Sequence, residues 1–163
     1  MKTKNIALFG MLVALAFIFS YLEYLIPLPL PTGVKLGAAN IVIICALYFL
    51  GEKEALAVSM VRIVLSGFAF GISTVPYSVA GGLLSFFVMT ALKRKGSFGL
   101  AGVSVAGSVC HNVGQTLVAM ALLGEKTVYY FPILLFSGII AGVLIGSLSA
   151  IILKKLQKHI KRG

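Results

Sequence analysis

The sequence contains no aspartate, and its 163 residues include only four acidic side chains, Glu23, Glu52, Glu54 and Glu125. Magnesium-dependent diphosphate chemistry requires clustered carboxylates that hold the metal. Acid–base catalysis by paired carboxylates requires two acids in one site. The four glutamates instead fall at predicted helix ends or in loops. The scarcity of acids therefore argues against both kinds of enzyme.

The sequence also lacks the residues that form nucleotide-binding and metal sites. In the segment GEKT at 124–127, Glu125 precedes Lys126, whereas a phosphate-binding loop has glycine immediately before the lysine. The two cysteines, Cys45 and Cys110, lie in predicted helices and form no CxxC motif. With only two histidines, ligand spacing for zinc is missing. We expect no enzymatic activity, no metal and no cofactor.

Apolar residues dominate the composition. They make up 60% of the chain, the mean hydropathy is +1.07, and only 11% of residues are charged. A membrane-spanning helix needs about 20 mostly apolar residues, and continuous apolar runs favour helices over barrel strands. We predict an all-α, polytopic membrane protein with a single domain over 1–163. Its six transmembrane helices are predicted at about 5–25, 35–51, 54–70, 76–93, 98–122 and 128–154, followed by a basic tail at 154–163.

Basic residues predict the orientation. One side of the predicted membrane carries 11 of the 14, the other carries only Lys35 and Lys126, and Arg62 lies inside a helix. The positive-inside rule then places both termini in the cytoplasm. The net charge of +10 indicates attraction to anionic membrane lipids. Nucleic-acid binding is not expected, because the chain has no separate basic domain.

A polar group interrupts the fifth predicted helix, in the segment SVCHNVGQTLVA at 108–119. His111 and Gln115 are four positions apart and share one helix face, while Asn112 lies about 100° further round. Two interpretations are open. The side chains either form hydrogen bonds between helices, as is common in membranes, or line a cavity for a polar ligand.

Arg62 is a charged residue in the middle of the third predicted helix. Burying it in a membrane costs at least about 2.5 kcal/mol, so it normally faces a partner or a wet cavity. Four explanations are open: pairing with Glu23, extension of the side chain to the membrane interface, hydrogen bonds to backbone carbonyls freed at a helix break, or contact with a carboxylate or phosphate of a ligand. A guanidinium binds such anions through two hydrogen bonds.

Two outer connections are predicted, one at 26–33 with three prolines at alternate positions, the other around 66–78. Either the second lies over a ligand cavity as a lid or it is an ordinary interfacial loop. Gly138, Gly142 and Gly146 repeat at a spacing of four, which is typical of closely packed membrane helices. The shorter pair Gly10 and Ala14 has the same spacing in the first helix.

Four segments resemble a known family: VKLGAANIVIICALYFLG, VRIVLSG, GGLLSFFVMTALKRK and HNVGQ. They are similar to the six-helix Gx transporter family, also described as heptaprenyl diphosphate synthase component I, over about 5–153. That family is in turn similar to the substrate-binding S components of energy-coupling factor transporters. The resemblance implies a multi-pass protein of a prokaryotic cytoplasmic membrane that takes up a small molecule. Its implied partners are a membrane T component and two ATPase subunits.

The resemblance also implies roles for individual residues. Asn40, Arg62, His111, Asn112 and Gln115 match the positions expected to contact the substrate. Gly10 and Ala14 match the surface that docks on the T component, although the family pattern has alanine where this chain has Gly10. The alternative, implied by the synthase description, is a non-catalytic membrane subunit that accompanies a prenyltransferase in polyprenyl diphosphate synthesis.

Overall fold

The structure, a computed structural model, describes residues 3–25 and 37–160, with the side chains of 6–25 and 37–154. Within these ranges every regular element is helical, which confirms the predicted all-α membrane protein. Two 3₁₀ turns, Ile72–Thr74 and Glu125–Tyr130, connect some of the helices. The six α-helices are α1 (Thr3–Leu25), α2 (Asn40–Phe49), α3 (Glu52–Phe70), α4 (Val75–Lys95), α5 (Leu100–Leu123) and α6 (Phe131–Ile160).

Glycines with positive φ set several helix boundaries. Gly71, Gly96 and Gly124 follow α3, α4 and α5 at φ of 102°, 69° and 93°, a region that favours residues without a Cβ. Pro76 lies in the first turn of α4, where the missing N–H costs nothing. The predicted outer connection around 66–78 is therefore much shorter than a lid, because 66–70 complete α3. The proline-rich connection at 26–33 lies outside the described residues.

Two predicted helices need correction. The helix expected at 35–51 begins only at Asn40, because Gly37 has φ 85° and a turn follows it; positions 35 and 36 lie outside the described residues. The helix expected at 128–154 begins at Phe131, after the 3₁₀ turn, and continues to Ile160. The basic tail predicted from 154 is thus helical as far as 160, since 155–160 contain neither glycine nor proline.

Four stretches are long and apolar enough to cross a membrane: Ile6–Leu25, Ile72–Lys95, Leu100–Leu123 and Glu125–Lys154. By contrast, α2 has ten residues and extends about 15 Å, half of a hydrocarbon core of about 30 Å. Its residues from Asn40 to Leu47 are all buried. A helix of this length, enclosed by its neighbours, ends inside the bundle. The predicted count of six spans and the cytoplasmic termini stay predictions.

Glycines bring α4, α5 and α6 into backbone contact. A Cβ on Gly114 of α5 would lie 2.6 Å from the Ala80 carbonyl oxygen of α4, and one on Gly142 of α6 would lie 2.5 Å from the Cα of Val105. Such distances exclude any side chain at these positions. The small-residue spacing therefore marks helix contacts within this chain.

An aromatic cluster joins α1 to α3 near the ends that approach the predicted outer side. The Phe70 ring stacks on three rings of α1, with its centroid 5.8 Å from that of Phe17, 6.1 Å from Tyr21 and 4.7 Å from Tyr24. Stacked rings at these separations attract each other beyond the area that they bury. The cluster joins the last turn of α3 to the second half of α1, about two helical turns beyond Arg62.

Candidate functional site

The Arg62 side chain lies inside the bundle and is only 3% exposed. Its Nη1 donates a hydrogen bond to Ser20 Oγ of α1 at 3.2 Å. Among the described residues, Nε and Nη2 have no hydrogen-bond acceptor. The side chain therefore does not extend to the membrane interface, which removes that explanation of its position. Two donor nitrogens of a buried cation are therefore unsatisfied by the described residues.

Glu23 supplies the negative charge that acts on Arg62. It lies one helical turn beyond Ser20 on α1, and its carboxylate attracts the guanidinium electrostatically. The Glu23 Oε1 also accepts a hydrogen bond from the backbone N–H of Ala38, at 2.7 Å, just before the first turn of α2. Glu23 thus joins α1 to the start of α2, in addition to balancing the buried charge.

The serines around Arg62 were not anticipated from the sequence. Ser59 and Ser66 lie three positions before and four positions after Arg62, so they share its face of α3, and both are buried. The Ser66 Oγ has no partner among the described residues. The signal was present in the pattern SMVRIVLS, which spaces two hydroxyls at helical periodicity around one arginine.

His111 and Gln115 lie together on the buried face of α5. The Gln115 Nε2 and His111 Nε2 atoms are 2.8 Å apart, at hydrogen-bond distance, and both side chains are almost fully buried. A Cβ on Gly37, just before α2, would lie 3.0 Å from His111 Cδ2 and 3.2 Å from Asn40 Nδ2. Asn40 and His111 are therefore neighbours, and Asn40 Nδ2 has no acceptor among the described residues.

Adjacent glycines on α4 separate the two polar groups. A Cβ on Gly81 would lie 2.8 Å from the His111 carbonyl oxygen and 2.9 Å from Gln115 Cγ. A Cβ on Gly82 would lie 3.5 Å from Ser59 Oγ and 3.7 Å from Arg62 Nη2. The pair thus lets α5 and α3 approach α4 from two sides. It brings the histidine group and the arginine group to the same level of the bundle.

Asn112 faces a different direction. Its Nδ2 donates a hydrogen bond to the Leu134 carbonyl oxygen of α6 at 2.6 Å. A Cβ on Gly138 of α6 would lie 2.8 Å from the same nitrogen. The 100° offset from His111 turns this side chain from α4 to α6. In this arrangement Asn112 links helices and is separate from the His111–Gln115 pair.

Gly10 and Ala14 lie on the outward face of α1, and both are exposed. Nothing lies within 4 Å of a Cβ built on Gly10. The two positions are therefore not used for packing inside the described part of this chain. A smooth strip of helix is left available on that face.

Metal-ligating and redox groups are dispersed in the described ranges. No three side chains among histidine, cysteine, aspartate and glutamate come together there. Cys45 and Cys110 are free thiols.

Comparison with known protein families gives a match over most of the chain. The sequence model of the family described as heptaprenyl diphosphate synthase component I matches residues 12–152, well over half of the chain. No curated protein and no solved structure matches.

Proposed function

The chain belongs to the heptaprenyl diphosphate synthase component I family, and from that premise we propose that it is the substrate-binding subunit of an uptake transporter of the energy-coupling factor type. In this proposal it binds a vitamin-like or precursor small molecule in the cytoplasmic membrane of a prokaryote. A membrane T component and two ATPase subunits supply the energy. The chain itself performs no catalytic step.

The observation that carries the proposal is that the buried Arg62 side chain has donor nitrogens without acceptors. Each buried donor without an acceptor costs about 1–3 kcal/mol, and Arg62 has two such nitrogens within the described structure. If Arg62 served only to form an ion pair with Glu23 inside the fold, the protein would be more stable with those donors satisfied. A carboxylate or phosphate oxygen of a bound molecule would satisfy both, since a guanidinium presents its donors in a planar fork.

The second polar group extends the binding region. His111, Gln115 and Asn40 lie across the glycine pair Gly81–Gly82 from Arg62. Amide and imidazole groups donate and accept hydrogen bonds, so they suit the uncharged polar part of a small molecule. In this proposal Arg62 binds the anionic part of the substrate, and the other three side chains bind its uncharged polar part.

The first test is native mass spectrometry of the protein extracted gently from its own membrane. We expect a small molecule bound to the wild-type protein and lost from Arg62→Ala. Arg94→Ala is the matched control, because Arg94 is an exposed arginine paired with Glu52. Arg62→Lys keeps the positive charge and therefore controls for misfolding caused by its loss. This variant should bind the same molecule more weakly than the wild type does. An identical bound molecule in wild type and all three variants would contradict the assignment.

The same preparations test the partners. Gly10→Leu should reduce copurification of the T component and the ATPases, because it adds bulk to the exposed strip of α1. Gly99→Leu is the control, since a Cβ there also meets nothing within 4 Å. Equal recovery of partners with both variants would remove Gly10 from the docking surface.

A second candidate function has its own support. A cavity of about 260 Å³ between α1, α2 and α6 is lined by apolar side chains, among them Leu12, Phe19, Ile41 and Ile152. Apolar cavities of this size stay dry and accept hydrocarbon, which suits a prenyl chain. The chain would then be a non-catalytic membrane subunit accompanying a prenyltransferase. Copurification of a prenyltransferase in place of the T component and ATPases would favour this function.

A further inference from the structure

The Glu23 carboxylate occupies a position with two features of an anion site. It accepts the Ala38 N–H at 2.7 Å, just before the first turn of α2, and the positive end of a helix dipole lies at that turn. It also attracts Arg62, whose guanidinium is buried one turn away along α1, beside Ser20. A helix start and a buried cation both favour a negatively charged group.

Donors exceed acceptors around this carboxylate. Arg62 Nε and Nη2 are buried and have no acceptor among the described residues. The Arg62 side chain is 3% exposed, so water is largely excluded from it. A group with several oxygen atoms, such as a carboxylate or phosphate, could accept hydrogen bonds from both of these nitrogens.

We propose that Glu23 is an internal occupant of an anion site formed by the start of α2 and Arg62, and that the anionic group of the substrate replaces it there. This rests on the proposed function for the identity of the substrate, but not for the existence of the site. Replacement breaks the contact between Glu23 and Ala38. Binding then releases the end of α1 from the start of α2, which couples occupancy to the arrangement of these helices.

Chemical rescue tests the site without the natural substrate. In Glu23→Ala the start of α2 and Arg62 lose their carboxylate, and sodium formate supplies another small enough to enter. We expect formate to raise the unfolding temperature of this variant in lipid nanodiscs by about 3 °C. Sodium chloride at equal ionic strength and neutral formamide should have no such effect. The wild type should respond less to formate than Glu23→Ala does, because its own carboxylate already accepts the Ala38 N–H and attracts Arg62.

Two further variants make the outcome decisive. Glu52→Ala also removes a carboxylate from an arginine, Arg94, but at an exposed position, and formate should not stabilise it. Glu23→Gln retains an acceptor for Ala38 without the charge, so inorganic phosphate should stabilise it more than it stabilises the wild type. Equal responses to the anions in Glu23→Ala, Glu23→Gln, Glu52→Ala and wild type would overturn the proposal.

The outcomes separate this inference from the proposed function. Formate rescue without a copurified small molecule would leave the anion site in place and count against transport. In another outcome, a small molecule copurifies and depends on Arg62, but anions rescue neither Glu23 variant. This would support the transport function and contradict the replacement of Glu23 by the substrate anion.

Discussion

Lys93 of α4 donates a hydrogen bond from Nζ to the carbonyl oxygen of Leu47, 2.6 Å away in the last turns of α2. The same ammonium lies 5.1 Å from the centre of the Tyr48 ring. The last carbonyls of a helix lack partners within it and carry partial negative charge. With Glu23 near its start, α2 therefore has an anion at its positive end and a cation at its negative end.

We predict that Lys93→Met lowers the free energy of unfolding by about 2 kcal/mol, because a hydrogen bond from a charged group is lost. Methionine keeps much of the aliphatic length. The measurement is denaturant-induced unfolding in detergent micelles. Lys95→Met is the control, since Lys95 is exposed and belongs to the same basic cluster. If both variants lose the same free energy of unfolding, the effect comes from the loss of a positive charge in this cluster and not from the contact with Leu47.

Gly81→Ala should be a disruptive methyl addition at the site. The new Cβ would lie 2.8 Å from the backbone oxygen of His111, which cannot move without displacing α5. Overpacking of this kind costs about 1–3 kcal/mol. Gly102→Ala in α5 is matched, because its Cβ would lie in ordinary contact with Phe98 at 3.5 Å. Unfolding should distinguish the two variants; similar stabilities would mean that α4 and α5 separate easily.

Asn112→Ala should weaken the contact between α5 and α6. The loss of its bond to the Leu134 carbonyl is expected to cost about 1 kcal/mol of unfolding free energy. Thr116→Val is the control, because the Thr116 hydroxyl donates its hydrogen bond to the Asn112 carbonyl of its own helix, at 2.8 Å. A larger loss in the control than in Asn112→Ala would contradict the role as a link between helices.

The Glu52–Arg94 pair predicts a dependence on pH. The hydrogen bond from Arg94, with Nε at 2.8 Å from Glu52 Oε1, lowers the pKa of the Glu52 carboxyl below its ordinary value. The pair therefore stabilises the fold above the ordinary glutamate pKa of about 4.3, and this contribution disappears as pH falls through the lowered pKa.

Glu52→Gln should accordingly remove a small part of the stability loss seen on acidification. The pair is exposed, so the effect is modest and is reduced by salt. Unfolding curves of wild type, Glu52→Gln, Arg94→Gln and the double variant across this pH range measure the coupling. Parallel pH profiles for all four would mean that the pair contributes nothing.

Some of the site could be predicted because its chemistry is unusual in a membrane. An arginine within an apolar helix stands out from composition alone, and the structure buries Arg62 inside the bundle. Glu23 was the acid considered for it, and its carboxylate is the charge that acts on Arg62. The roles of these residues in binding stay predictions.

Other features depend on neighbours that are distant in sequence. Helix periodicity places Asn112 about 100° from His111, but it does not identify α6 as the element on that side. The late start of the second helix, at Asn40, depends on Gly37, whose φ of 85° the sequence does not specify. Lys93 is one of three consecutive basic residues, and only the tertiary structure distinguishes the one that contacts Leu47.

The glycine contacts of α4, α5 and α6 have a mechanical consequence. Backbones that touch directly leave no room for one helix to tilt against the next, so these three move as one block. Toward α3 the contact is made differently, because the Val75 side chain of α4 lies against Gly67, where a Cβ would come within 2.5 Å of Val75 Cγ2. A side-chain contact can adjust by a change of rotamer, whereas contact between two backbones cannot.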